Sequence, residues 1–84
     1  MYYLYILVHS LNNQLYIGVS NNVERRLREH NKESNAGYTR RSTGEWKLVG
    51  TKQFETKLEA VREEKRLKKS KNKKYILWFI QLGR

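Results

Sequence analysis

The chain contains no cysteine, which removes disulfides, thiolate zinc sites and a cysteine nucleophile together. It has no aspartate either, so any side-chain carboxylate that binds a metal has to come from eight glutamates. No repeat and no proline-rich linker divides it. The apolar opening, Tyr2 to Val8, is too short to span a bilayer, and neither a basic n-region nor a small-residue cleavage site accompanies it. These absences lead us to expect a soluble, cytoplasmic protein with no membrane partner, folded as one domain over residues 1–84.

Positive charge is what the chain has in excess. Eighteen lysines and arginines stand against eight acidic residues, a formal net charge of +10 and a pI near 10.1. Such a field attracts polyanions, of which nucleic acid is the commonest in a cytoplasm. The run from Arg62 to Lys74 holds eight basic residues and two glutamates in thirteen positions. Its Lys65, Lys68, Lys69 and Lys71, together with Arg40 and Arg41, form a candidate phosphate-backbone surface. Phosphate contacts position nucleic acid without reading its sequence, and the same run is equally a solvated helix face. A basic surface alone does not separate a nuclease from a passive binder.

At this length only about 60% of the unfolded chain's surface can be buried, so the apolar runs must be used efficiently. Tyr2 to Val8 is apolar on both faces, as befits a strand covered on two sides. Leu11 to Gln14 reads as a hairpin connection, and Leu15 to Val19 as a second, antiparallel strand. Gly18 in that strand suggests a close approach by backbone or ligand. Asn21 and Glu24 have capping-box spacing ahead of a helix whose stripe is Val23, Leu27 and then His30 or Asn31. The polar stretch from Lys32 to Glu45 reads as a loop, and Trp46 to Phe54 as a third strand despite Gly50. Thr56 and Glu59 repeat the capping-box signature before a second helix. The closing run from Lys73 to Gly83 reads as a short helix, with a strand reading open because it has no clear period.

Five side chains stand out as possible chemistry. Glu64 lies at the edge of an apolar stripe formed by Ala60, Val61 and Leu67, where a carboxylate needs a partner. That partner is either Lys68 or Arg26 as an ion pair, or a divalent ion such as Mg²⁺ or Mn²⁺, which prefer oxygen donors. Tyr5 shares a strand face with Tyr3 and Leu7, and packing explains it alone; Tyr16 shares its face with Gly18, which leaves space near its hydroxyl. A phenol, with a reference pKa of about 10, becomes useful as a base only where cations stabilise its anion. Arg26 and His30 are one helical turn apart, so one rim of the first helix presents both.

Taken in order, these residues resemble the GIY-YIG nuclease family, in particular its small stand-alone members related to the excinuclease nuclease domain. "YLY" at Tyr3 to Tyr5 stands where the first family tripeptide would be and keeps its final tyrosine; "YIG" at Tyr16 to Gly18 is intact. Arg26, His30 and Asn31 match the following helix, "YTR" at Tyr38 to Arg40 the small-member loop, and "WKLV" the third strand. The register "A-x-x-x-E-K-x-x-K" selects Glu64 over Glu63 as the metal-binding glutamate. A cation often found shortly after the second tyrosine is Val19 here.

The resemblance implies an α/β (α+β) fold with a three-stranded antiparallel sheet flanked by helices. It implies a divalent-metal-dependent endonuclease acting on phosphodiester bonds, of DNA in a repair setting. In that reading Glu64 holds one Mg²⁺ or Mn²⁺, Arg26 binds the scissile phosphate, and Tyr16 aligns or deprotonates water. Tyr5 hydrogen-bonds Tyr16 or shares its role, His30 orients the phosphate or relays a proton, and Tyr38 joins the nucleic-acid surface. The small size leaves no room for a separate recognition domain, so weak sequence preference or a protein partner for targeting is expected, with a monomer or weak dimer. The competing expectation is a nucleic-acid-binding protein without turnover, which needs no convergence of tyrosine, arginine and glutamate.

Overall fold

The first apolar run is the middle strand of a sheet, and burial on both sides explains its composition. In the computed structural model, which describes residues 1–34 and 44–82, Tyr2–His9 (β1) pairs antiparallel with Leu15–Ser20 (β2) and with Trp46–Phe54 (β3). The strand order is β2-β1-β3, so only β1 has neighbours on both edges. Leu4, Tyr5, Ile6 and Leu7 of β1 are all fully or almost fully buried. Helices Val23–Ser34 (α1), Lys57–Ser70 (α2) and Lys73–Leu82 (α3) complete the fold. The expected three-stranded antiparallel sheet flanked by helices is the one observed.

Alternation along β1 divides the sheet into two faces. Leu4 and Ile6 point to one, where Ile17 of β2, Leu67 of α2 and Ile76, Phe79 and Ile80 of α3 close the main core. Tyr5 and Leu7 point to the other, opposite Gly18 and Tyr16 respectively in the β1–β2 register. Between Ile6 and Leu7 the β1–β3 register slips: Ile6 pairs with Gly50 but Leu7 pairs with Leu48, leaving Val49 as the extra residue of a bulge. The slip turns both Val49 and Gly50 toward the helices. Val49 packs on the core, and a Cβ at Gly50 would come within 3.1 Å of Ile80 Cγ1, so the glycine lets α3 lie close to the sheet.

Local polar bonds place the helix ends. The N-cap of α1 is Asn22, not Asn21: its Oδ1 accepts from the Arg25 N–H at 3.0 Å. Ser20 causes the shift, because its Oγ takes the Asn22 N–H at 2.9 Å and keeps residues 20–22 in a turn. The far end of α1 also departs from expectation. Lys32, Glu33 and Ser34 are helical, not part of the loop, since nothing in that stretch breaks a helix before Gly37. Thr56 caps α2 as anticipated, accepting from the Glu59 N–H at 3.2 Å and donating to its carboxylate at 3.1 Å. Lys71 ends α2 in the left-handed region (φ 51°), and Asn72 begins α3 by accepting from the Tyr75 N–H at 3.0 Å. The closing run is therefore a helix, with its buried residues at three- and four-residue spacing. Among the described residues no helix is long and apolar enough to cross a membrane.

Candidate active site

Gly18 decides how close the two tyrosines come. It pairs directly with Tyr5 across the β1–β2 ladder, while Tyr16, two residues back, lies on the same face. A Cβ at position 18 would stand 2.5 Å from the Tyr5 hydroxyl and 2.9 Å from Tyr16 Cε1, so both rings use the space a side chain would have taken. The ring centroids are 6.1 Å apart. This is the close approach that a glycine inside an apolar strand suggested.

The first helix brings the other two groups. One turn separates Arg26 from His30 on α1, and both face the tyrosines. His30 Nε2 lies 3.5 Å from the Tyr5 hydroxyl, and its ring meets that of Tyr16 edge-on at 4.4 Å between centroids. Arg26 donates to Glu29 at 2.8 Å and faces the Tyr5 phenol. Burial pushes the Tyr5 phenol above its usual range, and the Arg26 guanidinium holds part of that rise back. Arg26 in turn is held more firmly protonated than usual, first by the Tyr5 oxygen and then by Glu29.

Two further participants carried little signal in the sequence. Trp46, at the start of β3, has its ring 6.1 Å from His30 and 6.2 Å from Tyr16. It extends the Tyr5–Tyr16–His30 group into a continuous aromatic wall that ends on His9, 5.0 Å away. Only tertiary structure could reveal it. Glu29 was findable, since it lies three and four residues beyond Arg26 and Arg25 and pairs with both. A neighbouring pocket of about 270 Å³ on this sheet face is lined by Tyr3, Val23, Glu24, Leu48 and Thr51.

Glu64 is not joined to this group by any hydrogen bond or ion pair among the described residues. Its helix packs through Leu67 on the opposite sheet face, and its carboxylate, with the side chain 19% exposed, meets Lys68 Nζ at 3.1 Å. That is one of the two ion-pair partners its position allowed. The adjacent Glu63 is committed differently: three hydrogen bonds from Arg66, at 2.7, 3.2 and 3.1 Å, hold its carboxyl below the usual range. Lys65, Lys69 and Lys71 are exposed, with Lys68 between them. Tyr38, Arg40 and Arg41 lie outside the described residues.

Among the described residues no three His, Cys, Asp or Glu side chains gather as a metal cage. A half-buried single carboxylate fits a different kind of site, in which a hard divalent ion keeps several waters and completes its shell on a substrate phosphate. Glu64 meets that requirement.

The model of the GIY-YIG catalytic domain matches residues 1–76, spanning the whole sheet, α1, α2 and the start of α3. The chain belongs to the GIY-YIG family. This is a family of nuclease domains, and nucleic acid is the substrate it implies. Curated relatives resemble the GIY-YIG chain in sequence without adding an activity in their names. A UPF0213 protein of Oceanobacillus iheyensis is 40% identical over 67 residues, covering 80% of this chain and 76% of the relative. A UPF0213 protein of Clostridium perfringens is 44% identical over 69 residues (82% and 72%), and one of Bacillus velezensis 37% over 73 residues (87% and 72%). No solved structure matches the chain significantly.

Proposed function

We propose that this GIY-YIG protein is a divalent-metal-dependent endonuclease that hydrolyses DNA phosphodiester bonds, acting as one domain over residues 1–84. The observation that carries the reading is the convergence of Tyr5, Tyr16, Arg26 and His30 over Gly18. A purely packing role for Tyr5 would not need a guanidinium and an imidazole at its hydroxyl. The preference for DNA rests on the resemblance to the excinuclease nuclease domain.

In hydrolysis, water forms a new bond to phosphorus as the bond to the 3′ oxygen breaks, and negative charge grows on the phosphoryl oxygens. Arg26 binds those oxygens and offsets the added charge. Tyr5, almost fully buried and with a raised phenol pKa, stays protonated at neutral pH and serves as a hydrogen-bond donor. That leaves Tyr16, which is only partly buried, to align the attacking water or, as its phenolate, to take the water's proton. His30 orients the phosphate from the α1 side. Glu64 is the residue that would hold Mg²⁺ or Mn²⁺, which when bound supplies positive charge to the departing 3′ oxygen. Lys65, Lys68, Lys69 and Lys71 bind backbone phosphates without selecting sequence.

One observation favours a second reading, a nucleic-acid-binding protein without turnover: Glu64 pairs with Lys68 on its own helix and not with the tyrosine cluster. A direct experiment separates the two. Labelled single-stranded DNA, duplex DNA, branched DNA and RNA are incubated with the protein in Mg²⁺, in Mn²⁺ and in chelator. Cleavage of DNA that chelator abolishes supports the nuclease. Binding without cleavage under every condition would leave the passive binder.

A further inference from the structure

Trp78 on α3 is 55% exposed, the bulkiest of the apolar side chains left open to solvent. Tryptophan is highly buried on average, so an open indole needs a reason. Its surroundings are constructed. The indole stacks on Tyr75, with 5.9 Å between centroids and 27° between planes. Arg66 Nη1, from α2, donates to the Tyr75 hydroxyl at 2.6 Å, and the guanidinium lies 5.6 Å from the Tyr75 ring and 5.3 Å from the buried Phe79 ring. Glu63 grips the same guanidinium through three hydrogen bonds. Two helices thus fix the ring beneath Trp78.

The charge around the stack points to its ligand. Lys74, exposed, is one turn before Trp78 on the same side of α3. Exposed Lys69, Lys71 and Lys73 precede it in the chain, Lys73 donating to the Asn13 carbonyl of the hairpin at 2.6 Å. From Lys65 to Arg84 the chain has no acidic residue at all. A ligand here is repaid for negative charge and for a flat π surface. Proteins that hold single strands combine a basic track with aromatic side chains on which bases stack. A paired base hides its faces inside the duplex, so the stack is open only to an unpaired one.

We propose that Trp78 is a stacking site for an unpaired nucleobase, with Tyr75 and Arg66 as its mount and Lys74 as the neighbouring phosphate contact. It lies on the side of the sheet covered by α2 and α3, away from the tyrosine cluster under α1. Nucleic acid as the ligand class rests on the proposed function; the site itself does not depend on catalysis. It makes single-stranded or branched nucleic acid the preferred ligand over blunt duplex.

Binding is measured in chelator by fluorescence anisotropy with a labelled single strand, an abasic strand of equal length and a blunt duplex. Trp78→Ala is expected to weaken single-strand binding roughly 5- to 150-fold, the loss of one base–aromatic stack. Its affinity for abasic strand and duplex, and its salt dependence, should match wild type, because no phosphate contact is lost. Trp78→Phe should recover most of the affinity. Trp78→Leu, which keeps apolar bulk but no π face, should not, and it serves if the alanine variant melts early. Unchanged single-strand affinity in Trp78→Ala and Trp78→Leu overturns the proposal. So does a Trp78→Ala variant whose only change is in sedimentation, since the indole would then serve a protein contact. Cleavage in Mg²⁺ is scored separately. Trp78-dependent binding without cleavage sinks the nuclease reading alone, and cleavage with Trp78-independent binding sinks the stacking site alone.

Discussion

Asn31 holds Trp46 by both of its backbone groups: the asparagine Oδ1 accepts from the Trp46 N–H at 2.7 Å, and its Nδ2 donates to the Trp46 carbonyl at 3.2 Å. This pair ties α1 to the first residue of β3. It also sets the indole beside His30 and Tyr16, so a residue with no chemistry of its own shapes the wall of the site. Removing the amide takes away both of these part-buried hydrogen bonds. Asn31→Ala should cost about 1–2 kcal/mol, a fall in melting temperature of roughly 4–8 °C per kcal/mol for a domain of this size. Asn31→Asp, which keeps the acceptor but loses the donor, should lie between. Equal melting temperatures for all three proteins would show that the clamp is not needed to hold β3.

Gly18→Ala tests the fit between the strands. The added methyl meets Tyr5 at the hydroxyl and at Cζ, 2.5 and 2.6 Å away, and Tyr5 is too deeply buried to yield freely. The expected cost is about 1–3 kcal/mol, as for other overpacked sites, with the Tyr5–Tyr16 geometry disturbed as well. Denaturant unfolding beside single-turnover cleavage reads both. A variant as stable and as fast as wild type would mean that the rings have room to move.

The catalytic assignments are tested together. Arg26→Ala should slow cleavage by roughly 10²–10³-fold, the usual loss when a charge-stabilising donor is removed. Glu64→Gln keeps the shape but loses the charge, so cleavage should collapse while strand binding and melting temperature hold; its exposed partner Lys68 contributes little stability. Tyr16→Phe should be slow with its ring still packed on His30. A structural role predicts the reverse, with melting temperatures moving more than rates. Normal cleavage by Glu64→Gln across a range of Mg²⁺ and Mn²⁺ concentrations would remove the metal assignment.

Two titrations bound the stability profile. Arg66 depresses the Glu63 carboxyl, so the folded state releases this proton more readily than the unfolded chain does. Its contribution is complete above the unfolded value of about 4.3 and fades as pH falls through the lower folded value. Glu63→Gln should flatten that acid limb in a comparison of melting temperatures. Tyr5 works in the other direction. Burial raises its phenol, so stability is unaffected below the unfolded value of about 10 and falls as pH rises through the folded one. Tyr5→Phe should lose the alkaline decline, and an unchanged decline would assign it to other groups.

The elements themselves were readable along the chain because their causes are local. The two-sided apolar run of β1, the Thr56–Glu59 cap and the α2 stripe through Ala60 and Leu67 each rest on neighbours a few residues apart. Local reading failed where a side chain a few residues outside the expected motif intervened: Ser20 took the Asn22 N–H and moved the α1 cap by one residue. It also had no view of the Val49 bulge, where the β1–β3 register slips and turns Val49 and Gly50 toward α3.

The candidate site divides along the same line. Family motifs named Tyr5, Tyr16, Arg26, His30 and Glu64 one by one, and spacing put Arg26 and His30 on one rim of α1. The meeting of the first four depended on the β1–β2 register, which sets Gly18 opposite Tyr5, and on the seat of α1 over that face. Trp46 entered the wall through Asn31, fifteen residues away, and Glu64 was turned to Lys68 by its place on α2. Periodicity and capping act over one or two turns and are written into adjacent residues. Register, helix seating and pairings between distant segments depend on how whole elements pack, and only the folded chain decides them.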